Sequence, residues 1–136
     1  MSLDEALIAL GVALFLAGLI TGVVIPKLAL SRLGLTSHLE GTMNGMFLML
    51  VGLIWTRLDL GDLWRQITFW TLLYGTWANW GATLLAGIWG TGQRTPIASG
   101  GRVGSPGHER IVSTMLIGVG ITDIVAVTII LVGLLR

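Results

Sequence analysis

Four long apolar stretches constrain this chain more than any other feature of its sequence. They cover residues 3–25, 38–55, 67–89 and 111–135, and each approaches or exceeds the roughly 20 residues that a helix needs to cross a bilayer. None of them alternates between polar and apolar residues as a half-buried strand does. The sequence therefore predicts one domain over residues 1–136, an all-α membrane protein built as a bundle of four transmembrane helices.

The composition supports a membrane protein and excludes several other classes. Only 11% of the residues are charged, whereas soluble domains carry about 25%. The eight Lys and Arg residues form no dense basic patch, so we expect no nucleic-acid partner. Cysteine is absent, which excludes disulfides, thiolate nucleophiles and cysteine-ligated metal sites.

The connections between the stretches suggest an orientation in the membrane. Two are short polar turns, 27–37 and 57–66, and the third, 91–110, is a longer loop rich in Gly and Pro. One side of the predicted bundle carries three basic residues: Arg57, Arg65 and Arg136. The other side carries five: Lys27, Arg32, Arg94, Arg102 and Arg110. Because cytoplasmic loops carry the excess of Lys and Arg, both termini are expected on the periplasmic side of a bacterial inner membrane.

The second stretch opens with polar residues, which are costly to place in the hydrocarbon core of a membrane unless they are paired or functional. Ser37 and Glu40 have the S-x-x-E spacing of a capping box, which predicts that the helix starts there with Glu40 bonded back to the Ser37 amide. His38 would then lie in the first turn, at the membrane boundary.

A glycine stripe follows His38 along the same flank of the helix. Gly41, Gly45 and Gly52 lie near its direction on a helical wheel, and Asn44 lies at the edge of the stripe. Such stripes are the usual contact surface between membrane helices. They could equally clear space for a flat group held by His38, and the pattern leaves both interpretations open.

The third and fourth stretches each contain an isolated polar group. Asn79 lies on a face of small residues, where its amide needs a partner or a ligand, while Tyr74 lies largely on the other side. Asp123 lies at the middle of the last stretch, and no Lys or Arg lies at that depth. We therefore expect Asp123 to be neutral or hydrogen-bonded to a neighbouring helix, and an intramembrane acid is a functional candidate.

These residues by themselves leave the activity open. Two His and scattered acids do not make a zinc or di-iron site, and no phosphate-binding or nucleophile-elbow motif is present. A small transporter that depends on Asp123 and a haem-carrying electron-transfer subunit both fit a four-helix membrane protein with a polar pocket on its second and third helices.

Two blocks of sequence resemble a known family. Residues 37–47 (SHLEGTMNGMF) and 74–80 (YGTWANW), supported by 96–98 (PIA), are similar to the hydroxylaminobenzene mutases. The resemblance extends over nearly the whole chain. A more distant similarity, in the H-x-x-x-x-x-N-G-M spacing and in W-A-N, is to the styrene oxide isomerases.

The isomerase resemblance implies a cofactor and an assembly. It implies a homotrimer with ferric haem b, in which His38 is the axial ligand to the iron and Asn44 contacts the substrate. Two positions depart from the isomerase pattern, because this chain has Thr83 in place of a tyrosine and Gly75 in place of an aspartate. These departures favour the mutase branch over epoxide isomerisation, which stays the alternative.

The mutase resemblance implies an isomerisation of a small aromatic substrate, an aryl hydroxylamine, to an o-aminophenol. The difficult step is cleavage of the N–O bond, for which ferric haem on His38 would act as a Lewis acid. Asn44 and Asn79 would orient the N–H and O–H groups, and Tyr74 would donate or relay a proton. Trp77 or Trp80 would supply aromatic walls.

Overall fold

The structure, a computed structural model, describes all of residues 1–136 and is helical throughout, without β-strands. Its helices are α1 (Leu3–Val24), α2 (Ser31–Ile54), α3 (Asp62–Trp89), the single-turn α4 (Pro96–Ser99) and α5 (Pro106–Leu135). Short 3-10 turns prolong α1 and α2, over Ile25–Lys27 and Trp55–Arg57.

Three of the helices are long and apolar enough to cross a bilayer. These spans are Leu3–Lys27, Ser31–Arg57 and Pro106–Leu135. Helix α3 is 28 residues long and, with its Trp, Asn, Thr and Gly residues, is not among these three spans. The all-α membrane architecture is confirmed, whereas a fourth crossing by α3 stays a prediction.

The long helices pack in a row in the order α1, α2, α3, α5. Helix α2 lies between α1 and α3, and α3 lies between α2 and α5, while α1 and α5 have no extensive contact. The main hydrophobic core lies between these helices and consists of leucines and other apolar side chains, among them Leu7, Leu14, Leu48, Val51, Leu72, Ala126 and Ile130. Many large apolar side chains point outward instead, as lipid contact requires.

Helix α2 begins at Ser31, so the predicted capping box at Ser37 is wrong. The Ser37 hydroxyl donates across the helix interface to the Trp80 carbonyl at 3.0 Å, and the Glu40 side chain is engaged with α3. His38 consequently lies seven residues into the helix, about 10 Å from its start. A single-sequence pattern could not distinguish a cap from an interhelical contact, because both use the same residue types.

The segment between α3 and α5 is ordered by one carboxylate. Glu109, which is 4% exposed, accepts hydrogen bonds from the backbone amides of Gly92, Gln93 and Gly104 at 2.9, 3.1 and 2.7 Å. The His108 ring stacks on Trp89 with a centroid distance of 4.1 Å. The loop is shorter than the predicted 91–110, because α5 starts at Pro106. The hydrogen bonds to Glu109 fix its backbone.

Candidate active site

The glycines of α1 and α2 form a packing seam. A Cβ on Gly45 would lie 2.6 Å from the Phe15 amide nitrogen and 2.7 Å from the Gly11 carbonyl oxygen. A Cβ on Gly18 would lie 2.7 Å from the Gly41 carbonyl carbon. We call the residues of this contact the glycine seam: Gly11, Gly18, Gly41, Gly45 and Gly52. Backbone atoms of α1 fill the space beside the α2 glycines, so the interpretation that they make room for a flat group is wrong.

His38 lies at the edge of the glycine seam, on the side of α2 that faces α1. Its Nδ1 is 2.8 Å from the Gly18 carbonyl oxygen, and a Cβ on Gly22 would come within 2.8 Å of the same nitrogen. Because a carbonyl oxygen only accepts hydrogen bonds, Nδ1 carries the proton. In the neutral imidazole, Nε2 then carries the lone pair, and it has no hydrogen-bond partner in the chain. This is the arrangement that orients metal-binding imidazoles.

The opposite side of α2 carries a polar cluster that reaches α3. The Asn79 amide nitrogen donates to Glu40 Oε2 at 2.7 Å, and the Asn44 amide nitrogen donates to the same oxygen at 3.2 Å. Asn44 also lies 3.5 Å from the Thr76 carbonyl oxygen. We call Glu40, Asn44 and Asn79 the amide cluster. Each of its side chains is partly buried, so each keeps some surface open to a bound molecule.

The amide cluster leaves hydrogen-bond acceptors free. Neither Asn44 Oδ1 nor Asn79 Oδ1 receives a hydrogen bond from the protein. The side-chain polar atoms that are both fully enclosed and unpaired are Trp77 Nε1 and Thr91 Oγ1, so the two amide oxygens remain reachable. Free acceptor oxygens between two membrane helices favour a ligand that carries N–H or O–H groups.

Asp123 of α5 lies against α3 at Gly75, one helical turn before Asn79. Its Oδ1 occupies the place where a side chain on Gly75 would be. No group of the protein donates a hydrogen bond to it, so of the two expected states the hydrogen bond to a neighbouring helix is not found. A carboxylate from another helix thus fills the position where the isomerase pattern has its aspartate.

Tyr74 and the tryptophans are placed differently. The Tyr74 hydroxyl lies over Gly118 of α5, where a Cβ would be 2.6 Å away, and it makes no hydrogen bond with the amide cluster. Trp80 ties three helices together, since its Nε1 donates to Thr21 at 3.0 Å and its carbonyl accepts from Ser37. Trp77 packs edge-to-face on Trp80 at 5.9 Å.

Comparison with known proteins assigns the family. The family profile described as styrene oxide isomerase matches residues 3–135. The chain belongs to the styrene oxide isomerase family. Within it, the chain is 48% identical over 133 residues to hydroxylaminobenzene mutase HabB of Ectopseudomonas oleovorans, covering 97% of this chain and 81% of the relative. It is 43% identical over 131 residues to hydroxylaminobenzene mutase HabA of the same organism, covering 96% and 97%. No solved structure matches the chain significantly.

The comparisons confirm the resemblance to the hydroxylaminobenzene mutases, and with it an isomerase. The fold of this family member brings Asn44 and Asn79 together at Glu40 but directs His38 to the other side of α2. Glu40, which joins the two amides, was missed by the sequence prediction. Its spacing from Asn44 was the available signal, since residues four apart share a helix face.

Proposed function

We propose that this protein converts an aryl hydroxylamine such as hydroxylaminobenzene to an o-aminophenol in the bacterial inner membrane. The two mutase relatives support this, since both match over 96% or more of the chain. The observation that carries the proposal is the amide cluster with its two free amide oxygens. A hydroxylamine has both N–H and O–H donors to bind to them, whereas an epoxide has none.

The reaction balances within one molecule of substrate. The N–O bond and one ortho C–H bond break, while a C–O bond and a second N–H bond form. No electron is gained or lost, so no redox partner is needed. The residues of the chain have to hold the hydroxylamine, keep water away from the electron-deficient intermediate and move one proton from carbon to nitrogen.

The amide cluster is suited to hold the hydroxylamine group. We assign Asn44 Oδ1 and Asn79 Oδ1 as acceptors for its N–H and O–H, which would fix the group while the aromatic ring lies among apolar side chains. Water that reached the ring would capture the intermediate at other positions, so an intramembrane site favours the ortho product. Tyr74 is the proposed proton donor or relay.

His38 is the proposed ligand of a ferric haem b. The residue fits this role because Nδ1 is fixed by the Gly18 carbonyl and Nε2 is free to coordinate. When bound, the haem would supply a Lewis acid for the hydroxylamine oxygen. Gly22 is the neighbour that leaves space for the imidazole.

The proposed assembly is a homotrimer, a number that comes from the family resemblance. His38 and the amide cluster lie on different sides of α2, and Tyr74 is directed to α5. A site that needs all of them therefore needs more than one copy of the chain. Native mass spectrometry in detergent tests this, and an active species of one chain would contradict it.

The orientation is also a proposal, with α3 as a fourth span and both termini periplasmic. Because the chain has no cysteine, single cysteines can be introduced after residue 1 and in the segment 100–104 without background. A membrane-impermeant thiol reagent added to intact cells should label the first and not the second. The opposite labelling would reverse the orientation, and labelling of both would leave α3 out of the membrane.

The activity is tested with purified protein and two substrates. With hydroxylaminobenzene and no added reductant we expect 2-aminophenol, and the protein should show a haem absorption spectrum. Turnover of styrene oxide without turnover of hydroxylaminobenzene would instead favour the second candidate function, epoxide isomerisation. That candidate has support from Asp123, whose carboxylate fills the place of a side chain on Gly75.

A further inference from the structure

Glu40 is joined to both asparagines of the amide cluster through a single oxygen atom. Asn79 and Asn44 donate to Oε2 at 2.7 and 3.2 Å, and the two residues come from different helices. An oxygen that accepts two hydrogen bonds can do so in the ionised carboxylate and as the carbonyl oxygen of the neutral acid. In either state, each amide has to turn its nitrogen toward Glu40.

The orientation of an asparagine side chain decides what it offers to a ligand. Its nitrogen donates and its oxygen accepts, and the two ends have nearly the same shape. With both nitrogens directed to Glu40, both oxygens are directed away from it. The Thr76 carbonyl lies near the Asn44 nitrogen at 3.5 Å, which favours the same orientation. The free Asn44 and Asn79 oxygens therefore present two hydrogen-bond acceptors to a bound molecule.

We propose that Glu40 is a positioning residue that selects the substrate by its hydrogen-bond donors. It would hold Asn44 and Asn79 with their oxygens toward the substrate, so that a hydroxylamine binds well and an epoxide, which has an acceptor oxygen and no donor, binds poorly. This inference rests on the proposed function and adds to it the chemical feature by which the substrate is recognised. Glu40 acts through the two asparagines and does not touch the reacting atoms.

The test compares two substitutions of Glu40 with wild-type protein in the intact membrane form. Glu40→Gln keeps a carbonyl oxygen at the same position, so both amides should stay oriented. Glu40→Leu removes the acceptor, so both amides become free to turn their N–H groups outward. Each variant is assayed for KM and kcat with hydroxylaminobenzene, and styrene oxide is added as a competing ligand to measure its inhibition constant.

We expect Glu40→Gln to stay within about threefold of wild type for both ligands. Glu40→Leu should raise KM for hydroxylaminobenzene at least tenfold with a smaller change in kcat, and styrene oxide should become a tenfold stronger competitor. The opposite direction of the two changes is the decisive readout, because general damage to the fold would weaken both ligands together. Glu109→Gln is the matched control, because it removes another carboxylate that accepts several hydrogen bonds, here from the loop before α5. It should leave unchanged the ratio of KM for hydroxylaminobenzene to the inhibition constant of styrene oxide.

Two outcomes would overturn the role of Glu40. One is a Glu40→Leu protein in which the ratio of KM for hydroxylaminobenzene to the inhibition constant of styrene oxide is unchanged, whether or not both ligands weaken. The other is a Glu40→Gln protein that loses more than tenfold in kcat/KM for hydroxylaminobenzene. The kcat/KM of Glu40→Gln tests the role of Glu40 even if the Glu40→Leu protein does not accumulate. Wild-type protein without any turnover of hydroxylaminobenzene would contradict the proposed function instead.

Discussion

The two sides of helix α2 differ in the residues that contact the neighbouring helices α1 and α3. Toward α1 lie glycines, and backbone meets backbone closely enough that a Cβ on Gly45 would be 2.6 Å from Phe15. Toward α3 lie Glu40 and Asn44, whose side chains fill the interface and meet Asn79. The polar side chains on the first side, His38 and Thr42, are each bonded to a backbone carbonyl. The second side pairs the Asn44 and Asn79 nitrogens with Glu40 and leaves the two amide oxygens free.

The difference shows how a small membrane protein separates packing from chemistry. Between lipid-embedded helices, close contact of small residues supplies stability without a hydrophobic driving force. Polar groups in the same environment are costly unless they are paired, so incomplete pairing at one place points to a ligand. We expect changes in the glycine seam to affect folding and changes in the amide cluster to affect turnover.

The largest effect is expected in the glycine seam. Gly45→Leu would force a side chain into the backbone of Phe15 and Gly11, which cannot give way, at a cost of about 3 kcal/mol or more. We expect almost no folded protein, as measured by the amount of a fluorescent fusion that elutes as one peak in detergent. Gly120→Leu is the control, because nothing lies within 4 Å of a Cβ there. Equal yields of the two variants would contradict the role of the seam.

His38→Ala is expected to abolish activity but not folding. The substitution removes one hydrogen bond, to Gly18, which is worth about 1 kcal/mol, and it removes the proposed iron ligand. Haem content per chain and aryl-hydroxylamine turnover should disappear together. Free imidazole should restore part of the haem, since Gly22 leaves the position of the ring open.

The control for this variant is His108→Ala, which loses the stacking on Trp89 at the start of α5. It should keep both haem and turnover. A His38→Ala protein with full haem and full activity would refute the assignment of the ligand.

Asn44→Ala should reduce the rate without loss of haem. The amide is assigned to orient the substrate, so we expect a 10- to 100-fold fall in kcat/KM, which corresponds to about 1.4–2.7 kcal/mol. Absorption spectra and kinetics on the same preparation check both parts. Gln93→Ala removes an exposed amide side chain and is the control. Loss of haem in Asn44→Ala would place this residue in cofactor binding instead.

Asp123→Asn should have the smallest effect, less than about threefold on turnover. The carboxylate receives no hydrogen bond from the protein, and an asparagine of the same shape fits over Gly75. The measurement is kcat/KM together with haem content. A loss of more than about a hundredfold (~2.7 kcal/mol) with normal haem would make Asp123 a catalytic acid.

Most of the fold followed from hydrophobic length, while the helix starts did not. Helix α1 ends one residue from the predicted boundary, but α2 begins at Ser31 and not at the predicted 38, and α3 and α5 each begin five residues early. The polar residues that precede the apolar stretches belong to the helices, because neighbouring helices and loops satisfy them. Glu109 is an example, since its partners are amides of the loop before it.

The sequence by itself determined the helical membrane class, the family and the residue types available for chemistry, because apolar length and two local motifs carry that information. Tertiary structure decided which polar residues meet. Glu40 looked like a helix cap, and only the approach of α3 makes it the partner of Asn79. The glycines near His38 fitted either a pocket or a seam until the position of α1 filled them with backbone. Contacts between helices depend on how the helices are placed in three dimensions, and no local pattern along one helix encodes that placement.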